Sequence, residues 1–214
     1  MGLINNLCIK YGTDKASNLH NYSEKYEKFF STYKDKELII LEIGIFNGFS
    51  LKTWEEYFSN SKIYGIDIID CSSMDTDRIK TFVCDQTNLD ELKKLNDMYG
   101  PFDIIIDDGS HKSKDMKKTF DFLFPLLNND GLYVVEDLHC CYWDIFSPNE
   151  TEFMDRLKEL LDIVNSNGKC GLAEIKNISK DHFYQDKILG EMTWWELNIS
   201  FISLYKSIVF IGKN

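Results

Sequence analysis

The sequence predicts an α/β protein of the doubly wound type, with a mostly parallel, seven-stranded sheet and an antiparallel hairpin at its carboxyl-terminal end. Short runs of apolar, β-branched residues alternate with segments whose apolar residues recur at helical spacing. The last two apolar runs, 198–205 and 208–211, are separated by a tight turn around Lys206. Alternating strands and helices favour a parallel sheet, and the last two strands favour a hairpin at its edge.

The composition is typical of one globular domain. The 214 residues are 43% hydrophobic and 14% aromatic, and no segment approaches the roughly 20 consecutive apolar residues of a membrane span. We expect residues 1–214 to form a single domain, with a helical lead and lid in 1–36 and insertions that partly cover the substrate in 140–197. The first residues show no export-signal pattern, so we expect a cytoplasmic protein.

Charge and cysteine content argue against several functions. The formal net charge of −11 disfavours a nucleic-acid partner, because phosphate binding needs a basic face. The six cysteines show neither a C-x-x-C spacing nor a framework pattern, which disfavours zinc and structural disulfides and favours free thiols. The sequence allows a homo-oligomer as well as a monomer.

The first 36 residues combine an aromatic stripe with a polar turn. Tyr22, Tyr26 and Phe30 recur at helical spacing, which predicts an amphipathic helix packed on the domain. The turn 12–15, with the sequence Gly-Thr-Asp-Lys, could instead form a lid over a ligand, since a polar turn with a glycine is a flexible cover. The two interpretations are compatible.

A strand, a glycine turn and a helix come next. Residues 37–43 form the strand, and a helix with one apolar face begins near residue 50. Gly44 and Gly48 allow the backbone to approach a ligand, and the amino end of the helix offers N–H groups to an anion. The dinucleotide fingerprint G-x-G-x-x-G is not met, because only these two glycines are present. This argues against NAD and FAD.

Polar residues also end the next two predicted strands. Strand 62–67 ends in Asp67, roughly twenty residues past the glycine turn, where nucleoside-binding folds place a carboxylate for ribose hydroxyls. The alternative is an acid exposed to solvent at a strand end. The third strand, 81–86, ends in Asp85 and Gln86, which could hydrogen-bond to the edge of a base.

The segments 102–111 and 131–139 carry the strongest chemical pattern. Each is an apolar run, typical of a strand buried on both faces of a parallel sheet, that stops at acidic residues. Their polar ends comprise Asp107, Asp108, His111, Glu136 and Asp137. Because ligands bind beyond the carboxyl ends of parallel strands, we expect these side chains to face a common site.

The remaining segments complete the alternation. Segment 88–95 begins with a capping box, and segments 116–127 and 153–164 have apolar residues at helical spacing, so each predicts a helix. Residues 140–148 are too irregular for the sheet and are predicted to form a loop over the site. The mixed segment 171–197 supports no assignment.

Glu42 precedes the glycine turn, and with the polar residues at the strand ends it forms an ordered series of motifs: Glu42-x-Gly44-x-x-x-Gly48, Asp67, Asp85-Gln86 and Asp107. This order resembles that of the class I S-adenosylmethionine-dependent methyltransferases, which have a Rossmann-like fold. Six segments narrow the resemblance: Tyr11–Lys15, Ser50–Trp54, Phe102–His111, Phe124-Pro125, Gly131–His139 and Tyr142-Trp143. Over about residues 10–145 the chain is similar to the metal-dependent sugar O-methyltransferases of the mycinamicin type, which act on deoxysugars of macrolides.

The resemblance implies two ligand sites and a base. The residues implied to bind S-adenosylmethionine are Thr13, Glu42, Gly44, Gly48, Ser50, Asp67, Asp85, Gln86 and Asp107. Asp108, Glu136 and Asp137 are implied to bind Mg²⁺, and His111 is implied to be the general base. Carboxylate oxygens suit a hard cation, and three converging carboxylates would repel one another without one.

The implied reaction is methyl transfer to a hydroxyl of a small, sugar-containing acceptor, which could be nucleotide-linked, part of a polysaccharide or a natural-product glycoside. A metal ion bound to adjacent hydroxyls would lower the pKa of the one to be methylated. His111 would take the proton from that hydroxyl, because the pKa of an imidazole is about 6.5. The alternative for His111 is a structural histidine bonded to a neighbouring carboxylate.

Two other functions are compatible with the motifs. One is a catechol-type O-methyltransferase acting on a small aromatic diol, and the other is a cofactor-binding protein without turnover. A histidine after the metal-binding aspartate favours the sugar, because a phenol needs less help to ionise. We expect no counterpart of the long amino-terminal auxiliary region of the mycinamicin type. Several aromatic residues either stack on sugar faces or lie in the core: Trp143, Phe183, Tyr184, Trp194 and Trp195.

Overall fold

The computed structural model describes residues 2–149, 151–166 and 193–214 of the chain. Its strands are β1 (Ile39–Ile43), β2 (Lys62–Asp67), β3 (Ile79–Val83), β4 (Ile104–Asp107), β5 (Leu132–Val135), β6 (Ile199–Tyr205) and β7 (Ile208–Lys213). They form one seven-stranded sheet in the order β3-β2-β1-β4-β5-β7-β6. Strands β1 to β5 pair in parallel, and β7 is antiparallel to both of its neighbours. The predicted fold class is confirmed.

The helices of the described residues lie between these strands or precede them. They are α1 (Leu3–Tyr11), α2 (Ser23–Phe30), α3 (Phe49–Tyr57), α4 (Leu89–Tyr99), α5 (Ser113–Leu123), α6 (Glu152–Ser166) and α7 (Trp194–Asn198). The apolar pattern did not predict α1, whose buried stripe of Ile4, Leu7 and Cys8 is little more than one turn long. This helix ends at Gly12, which takes the left-handed conformation common after helices (φ 81°).

The core consists of two layers, one on each face of the sheet. Helices α1, α2 and α3 pack on one face, and α4, α5 and α6 pack on the other. Along β4, Ile104 and Ile106 belong to the first layer and Ile105 to the second. Both faces are therefore covered, which is why the sequence of this strand is continuously apolar rather than alternating.

The predicted helices are present, and their apolar stripes are buried. On the first layer these are Leu51, Trp54 and Phe58, and on the second Met116 and Phe120. Several boundaries differ from prediction, among them the start of β1, which lies at Ile39 rather than at residue 37. Strand β3 ends at Val83, before the predicted limit, and the predicted capping box is reduced to one hydrogen bond, from Glu91 N to Asn88 Oδ1 (3.3 Å).

The segment after β5 is more ordered than a loop. Leu138–Tyr142 forms a 3₁₀ helix in which Cys140 and Cys141 are buried, whereas Tyr142 and Trp143 are exposed. Helix α6 packs its residues Phe153, Leu157 and Leu160 into the second layer. The predicted end of α6 at residues 167–168 lies outside the described residues, as do Phe183 and Tyr184.

Trp195, one of the aromatic residues with two predicted roles, belongs to the core. Its ring stacks on Phe120 and Phe124, with centroids 5.7 and 5.8 Å apart. Its neighbour Trp194 is 41% exposed and meets Phe124 edge-on. The core interpretation therefore applies to Trp195.

Two further findings concern the described residues as a whole. No helix among them is both long and apolar enough to cross a lipid bilayer. The described cysteines, Cys8, Cys71, Cys84, Cys140 and Cys141, are all free thiols, as the spacing predicted.

Candidate active site

The site begins at the glycine turn between β1 and α3. Gly44 and Gly48 have φ angles of 80° and 68°, in the left-handed region that favours glycine. A Cβ atom on Gly44 would overlap the backbone of Asp108 and Gly109. Gly44 therefore allows the turn after β1 to lie directly against the turn after β4, which brings the predicted cofactor and metal residues together.

Asp67 lies at the end of β2 and holds the glycine turn. Its Oδ2 accepts hydrogen bonds from Ile45 N (3.0 Å) and Phe46 N (2.9 Å), and its Oδ1 accepts one from Ile69 N (3.2 Å). The carboxylate thus has a structural task in addition to the predicted contact with ribose hydroxyls, which stays a prediction. It is not the free acid at a strand end that was the alternative.

Gln86 and Asp107 form a buried hydrogen-bonded pair. Gln86 Nε2 donates to Asp107 Oδ1 (3.2 Å), and Gln86 Oε1 accepts from Ser110 N (2.6 Å). Tyr133 donates to the second oxygen of Asp107 (3.2 Å). Burial raises the pKa of Asp107 to about 7. Gln86 and Asp107 therefore position the turn after β4. The neighbouring Asp85 is exposed, and its carboxylate accepts a hydrogen bond from Thr87 N (2.7 Å).

A cavity of about 190 Å³ lies between the glycine turn and the turn 12–15. Thr13, Gly44, Ser50 and Asp108 line it, so four of the predicted site residues face one space. Residues of both turns line this cavity, and the role of the turn 12–15 as a lid stays a prediction. This cavity is the space between the predicted cofactor residues and the acidic cluster.

Lys15 occupies the centre of the acidic cluster, a position that the sequence did not predict. Its side chain is buried, with Nζ 2.5 Å from Asp108 Oδ2, 3.0 Å from Glu136 Oε2 and 3.9 Å from Glu42 Oε1. Burial alone would lower the pKa of Lys15, but these carboxylates hold it well above its ordinary value. The argument that converging acids need a metal ion is therefore incomplete, because the chain supplies one cation itself.

The one sequence signal for Lys15 was its place in the Gly-Thr-Asp-Lys turn, which contributed to the family resemblance. That turn predicted a surface lid, and lysine is seldom buried unless it is paired. The predicted cluster of acids implies a basic partner, and Lys15 is one of many lysines in the sequence that could fill that role.

Glu42 lies on β1 next to Lys15 and is fully buried. Ser50 and Trp54 lie near enough to Glu42 to lower its pKa, but neither carboxylate oxygen has a partner at normal hydrogen-bond geometry among the described residues. Burial raises its pKa to about 7, against the opposing effect of Lys15. Near neutral pH Glu42 is therefore divided between its charged and neutral forms.

Two tyrosines of the amino-terminal region hold the acids that follow β5. Tyr26 donates a hydrogen bond to Glu136 Oε1, and Tyr22 donates one to Asp137 Oδ1 (2.7 Å). Burial and the charge of Asp108 raise the pKa of Glu136 well above its ordinary value. The aromatic stripe that predicted a packing helix thus also supplies polar contacts to the site.

Three histidines surround Asp137, although the sequence pointed only to His111. His20 Nδ1 lies 3.0 Å from Asp137 Oδ1, His111 Nε2 lies 3.8 Å from Oδ2, and His139 Nδ1 lies 3.9 Å from Oδ1. Burial acts to raise the pKa of Asp137, but the hydrogen bond from Tyr22 and the imidazoles keep it below its ordinary value. Asp137 is therefore ionised at neutral pH.

Backbone conformation marks the same residues. Asp137 and His111 have φ angles of 53° and 57°, in a region that residues other than glycine seldom adopt. Such strain is retained where surrounding contacts impose it, and it clusters at functional sites.

One compact group of side chains could hold a metal ion. Ligand atoms of Asp108, His111 and Asp137 lie within 4.8 Å of one another. Glu136, the third predicted ligand, is not a member of this group and instead contacts Lys15 and Tyr26. The arrangement can bind a divalent cation next to an imidazole, at the mouth of a cavity beside a glycine turn.

Comparison with known proteins gives homologues over most of the chain. A 2'-O-methyltransferase of 8-demethyl-8-alpha-L-rhamnosyl tetracenomycin-C from Streptomyces olivaceus is 42% identical over 147 residues, covering 65% of this chain and 39% of that protein. A mycinamicin VI 2''-O-methyltransferase from Micromonospora griseorubida is 36% identical over 174 residues, covering 75% and 44%. The chain thus spans less than half the length of these relatives. No protein-family model matches it.

A solved structure agrees with these relatives. The MycE methyltransferase from the mycinamycin biosynthetic pathway, in complex with Mg, SAH and mycinamycin VI, matches with a TM-score of 0.81 and 30% identity over 100% of this chain and 55% of that chain. The chain has the Rossmann-like fold of the class I S-adenosylmethionine-dependent methyltransferases. Within that class its homologues are sugar O-methyltransferases of macrolide and tetracenomycin pathways, the mycinamicin type among them, as the motifs predicted.

Proposed function

We propose that this chain contains the catalytic site of an S-adenosylmethionine- and Mg²⁺-dependent O-methyltransferase that methylates a hydroxyl of a sugar-containing acceptor. The observation that carries the proposal is the contact between Gly44 and the backbone of Asp108, which joins the glycine turn to the acidic cluster. A methyl donor and a metal-bound hydroxyl would have to meet at such a junction.

The cofactor residues of the proposal fall into two groups. Gly44, Thr13 and Ser50 face the cavity and are proposed to contact the cofactor directly, together with Gly48 at the start of α3. Five other residues are proposed both to shape that cavity and to bind the cofactor: Glu42, Asp67, Asp85, Gln86 and Asp107. S-adenosylmethionine, when bound, supplies the methyl group from its sulfonium. The side chains orient it and exclude water.

The side chains present fit a divalent cation. Asp108 and Asp137 offer carboxylate oxygens, the ligands that Mg²⁺ prefers, and the lowered pKa of Asp137 keeps it ionised. Glu136 is proposed as the third ligand, which requires it to leave its contact with Lys15. Mg²⁺, when bound, lowers the pKa of an acceptor hydroxyl.

His111 is proposed to take the proton from that hydroxyl. Its Nε2 atom faces Asp137 at 3.8 Å, and its Nδ1 atom has no hydrogen-bond partner among the described residues. An imidazole so placed can accept a proton while the neighbouring carboxylate stabilises the resulting charge. If His111 is a metal ligand instead, it cannot serve as the base.

One screen tests the proposal. Methyl transfer would be measured with sugar nucleotides, glycosides and a catechol, each with Mg²⁺ and with EDTA, alongside calorimetry with S-adenosylhomocysteine. We expect S-adenosylhomocysteine to bind and turnover on a sugar hydroxyl to require Mg²⁺. Asp108→Asn should abolish turnover without abolishing S-adenosylhomocysteine binding, and His111→Ala should reduce turnover by about 10²-fold or more.

The same screen separates the alternatives. Turnover on the catechol alone would favour the aromatic diol. Binding of S-adenosylhomocysteine without turnover on any acceptor would favour a binding protein, and failure to bind it would remove the methyltransferase proposal. The cytoplasmic location, the single domain and the homo-oligomer stay predictions.

A further inference from the structure

A second cavity, of about 790 Å³, shares no lining residue with the cavity beside the glycine turn. Tyr22, His20 and His139, which surround the Asp137 carboxylate, all line its wall. The cavity therefore lies next to the carboxylate that the proposed function assigns to the metal, with these three side chains between them. A molecule bound there could place a hydroxyl near a divalent cation held by Asp137.

The charged side chains that line this cavity are basic, whereas the protein as a whole is acidic. The chain has 35 acidic residues and a net charge of −11, yet none of the described lining residues is an aspartate or a glutamate. The lining instead includes His20, Lys25, His139 and Lys206. A basic wall in an acidic protein creates a local field that attracts anions.

The lysines of this wall are not neutralised by acidic neighbours. Lys25 Nζ donates to the backbone oxygen of Asn21 (2.8 Å), and no ion pair joins Lys25 or Lys206 to a carboxylate of the described residues. Lys28, one turn further along α2, donates to the hydroxyl of Tyr205, another lining residue (2.8 Å). The hydrogen bond from Lys28 lowers the pKa of Tyr205, and Lys25 adds to the effect, so two ammonium groups, those of Lys28 and Lys25, act on this hydroxyl.

Exposed aromatic rings lie beside the basic wall. Trp143 is 51% exposed and packs edge-on against His139, with ring centroids 4.5 Å apart, and Tyr142 is 59% exposed. Rings held in this way bind the faces of sugars or bases by stacking at low entropic cost. The cavity thus combines a place for an anionic group, a stacking surface and a wall whose side chains contact Asp137.

We infer that the acceptor of this enzyme is a phosphate-bearing sugar, bound with its phosphate groups toward Lys25 and Lys206 and its hydroxyls toward Asp137. The inference rests on the proposed function for the identity of the reacting hydroxyl. A nucleoside diphosphate sugar matches all three features of the cavity, because it contains a base, a diphosphate and a sugar. A sugar phosphate without a base would use only the basic wall.

The test is calorimetry of the full chain with three probes: uridine diphosphate, inorganic pyrophosphate and uridine. Saturating S-adenosylhomocysteine fills the cofactor site, and EDTA removes metal-bridged binding of phosphate. We expect uridine diphosphate to bind at least about tenfold more tightly than uridine, and its affinity to fall with added salt. Pyrophosphate binding as tightly as uridine diphosphate would indicate a sugar phosphate rather than a nucleotide sugar.

Matched variants locate the binding site. Lys25→Gln and Lys206→Gln should each weaken uridine diphosphate binding about two- to fivefold, and the double variant about tenfold. Lys62→Gln is the control, because Lys62 is exposed at the amino end of β2, a strand that β1, β4 and β5 separate from β7. Its affinity for uridine diphosphate should equal that of the unaltered chain.

Two results would overturn the inference. In the first, uridine diphosphate and pyrophosphate bind no more tightly than uridine. In the second, the double variant Lys25→Gln, Lys206→Gln binds uridine diphosphate with the affinity of the unaltered chain. If S-adenosylhomocysteine binds in those experiments, the methyltransferase proposal stands and only the anionic acceptor is lost. If phosphate probes bind and S-adenosylhomocysteine does not, the proposed function fails instead.

Discussion

The ammonium group of Lys15 lies 2.5 Å from Asp108 Oδ2, inside a cluster of buried carboxylates. The two residues are 93 positions apart in the sequence, and Lys15 also reaches Glu136 Oε2 at 3.0 Å. The amino-terminal turn is thereby joined to the ends of β4 and β5. A divalent ion at Asp108 and Asp137 would add to a positive charge that the chain already provides.

Replacing Lys15 by methionine should destabilise the protein strongly when no metal is present. The variant leaves Asp108 and Glu136 buried without their cation, a change that typically costs about 3–5 kcal/mol. Urea unfolding in EDTA measures the loss. Because Mg²⁺ can replace part of the missing charge, its addition should stabilise Lys15→Met more than it stabilises the unaltered chain.

Lys10→Met is the matched control for this variant. Lys10 also pairs with a carboxylate, that of Glu56, but both side chains are exposed. Solvent weakens such pairs, so this change should cost far less than Lys15→Met. Equal losses in the two variants would refute the structural role of Lys15.

Tyr22→Phe should weaken Mg²⁺ binding. The hydroxyl of Tyr22 donates to Asp137 Oδ1 (2.7 Å) and helps to keep the pKa of that carboxyl low. Without it a proton competes better with the metal ion, and we expect an affinity about tenfold lower. Mg²⁺ calorimetry tests this, with Tyr33→Phe as the control, since Tyr33 donates to the backbone oxygen of Asp130 (3.0 Å). Unchanged Mg²⁺ affinity in Tyr22→Phe would contradict the role assigned to its hydroxyl.

Glu42 should make stability depend on pH. Burial raises its pKa in the folded chain to about 7, from an ordinary value of 4.5. Between these two values the folded chain holds more protons at this site than the unfolded chain, so the contribution of Glu42 to the free energy of unfolding falls as pH rises.

Glu42→Gln should remove that dependence. At pH 8 we expect the variant to be more stable than the unaltered chain by on the order of 3 kcal/mol, with the difference vanishing below pH 4.5. Urea unfolding across this range measures it, and Glu37→Gln makes the same chemical change at an exposed position. A parallel pH profile in Glu42→Gln and the unaltered chain would show that Glu42 is not the group responsible.

Gly44→Ala should separate the glycine turn from the acidic cluster. Its added Cβ would overlap the backbone of Asp108, so both turns must move, and we expect S-adenosylhomocysteine affinity to fall by tenfold or more, about 1.4 kcal/mol. Gly12 has a similar φ of 81° but no atom within 4 Å of an added Cβ. In urea unfolding Gly12→Ala should therefore show only the strain of the left-handed backbone, roughly 1–2 kcal/mol. Gly44→Ala adds the overlap with Asp108 to the same backbone strain, so its loss of unfolding free energy should be larger than that of Gly12→Ala. Equal losses of unfolding free energy in the two variants would mean that the two turns do not depend on this contact.

The sequence by itself determined the strands, most of the helices and the edge of the sheet where the chemistry lies. These features depend on local periodicity, and the carboxyl ends of parallel strands meet at one edge whatever the details of packing. Asp108 and Asp137 could be placed at that edge because each follows an apolar run directly.

Only the tertiary structure decided which side chains meet there. Lys15, Tyr22 and His20 reach the acids from more than 90 residues away, through the packing of the first layer on the sheet. No local pattern encodes such contacts, because they depend on how two separate layers are brought together. Likewise Asp67 holds the glycine turn through hydrogen bonds that its position at a strand end did not specify.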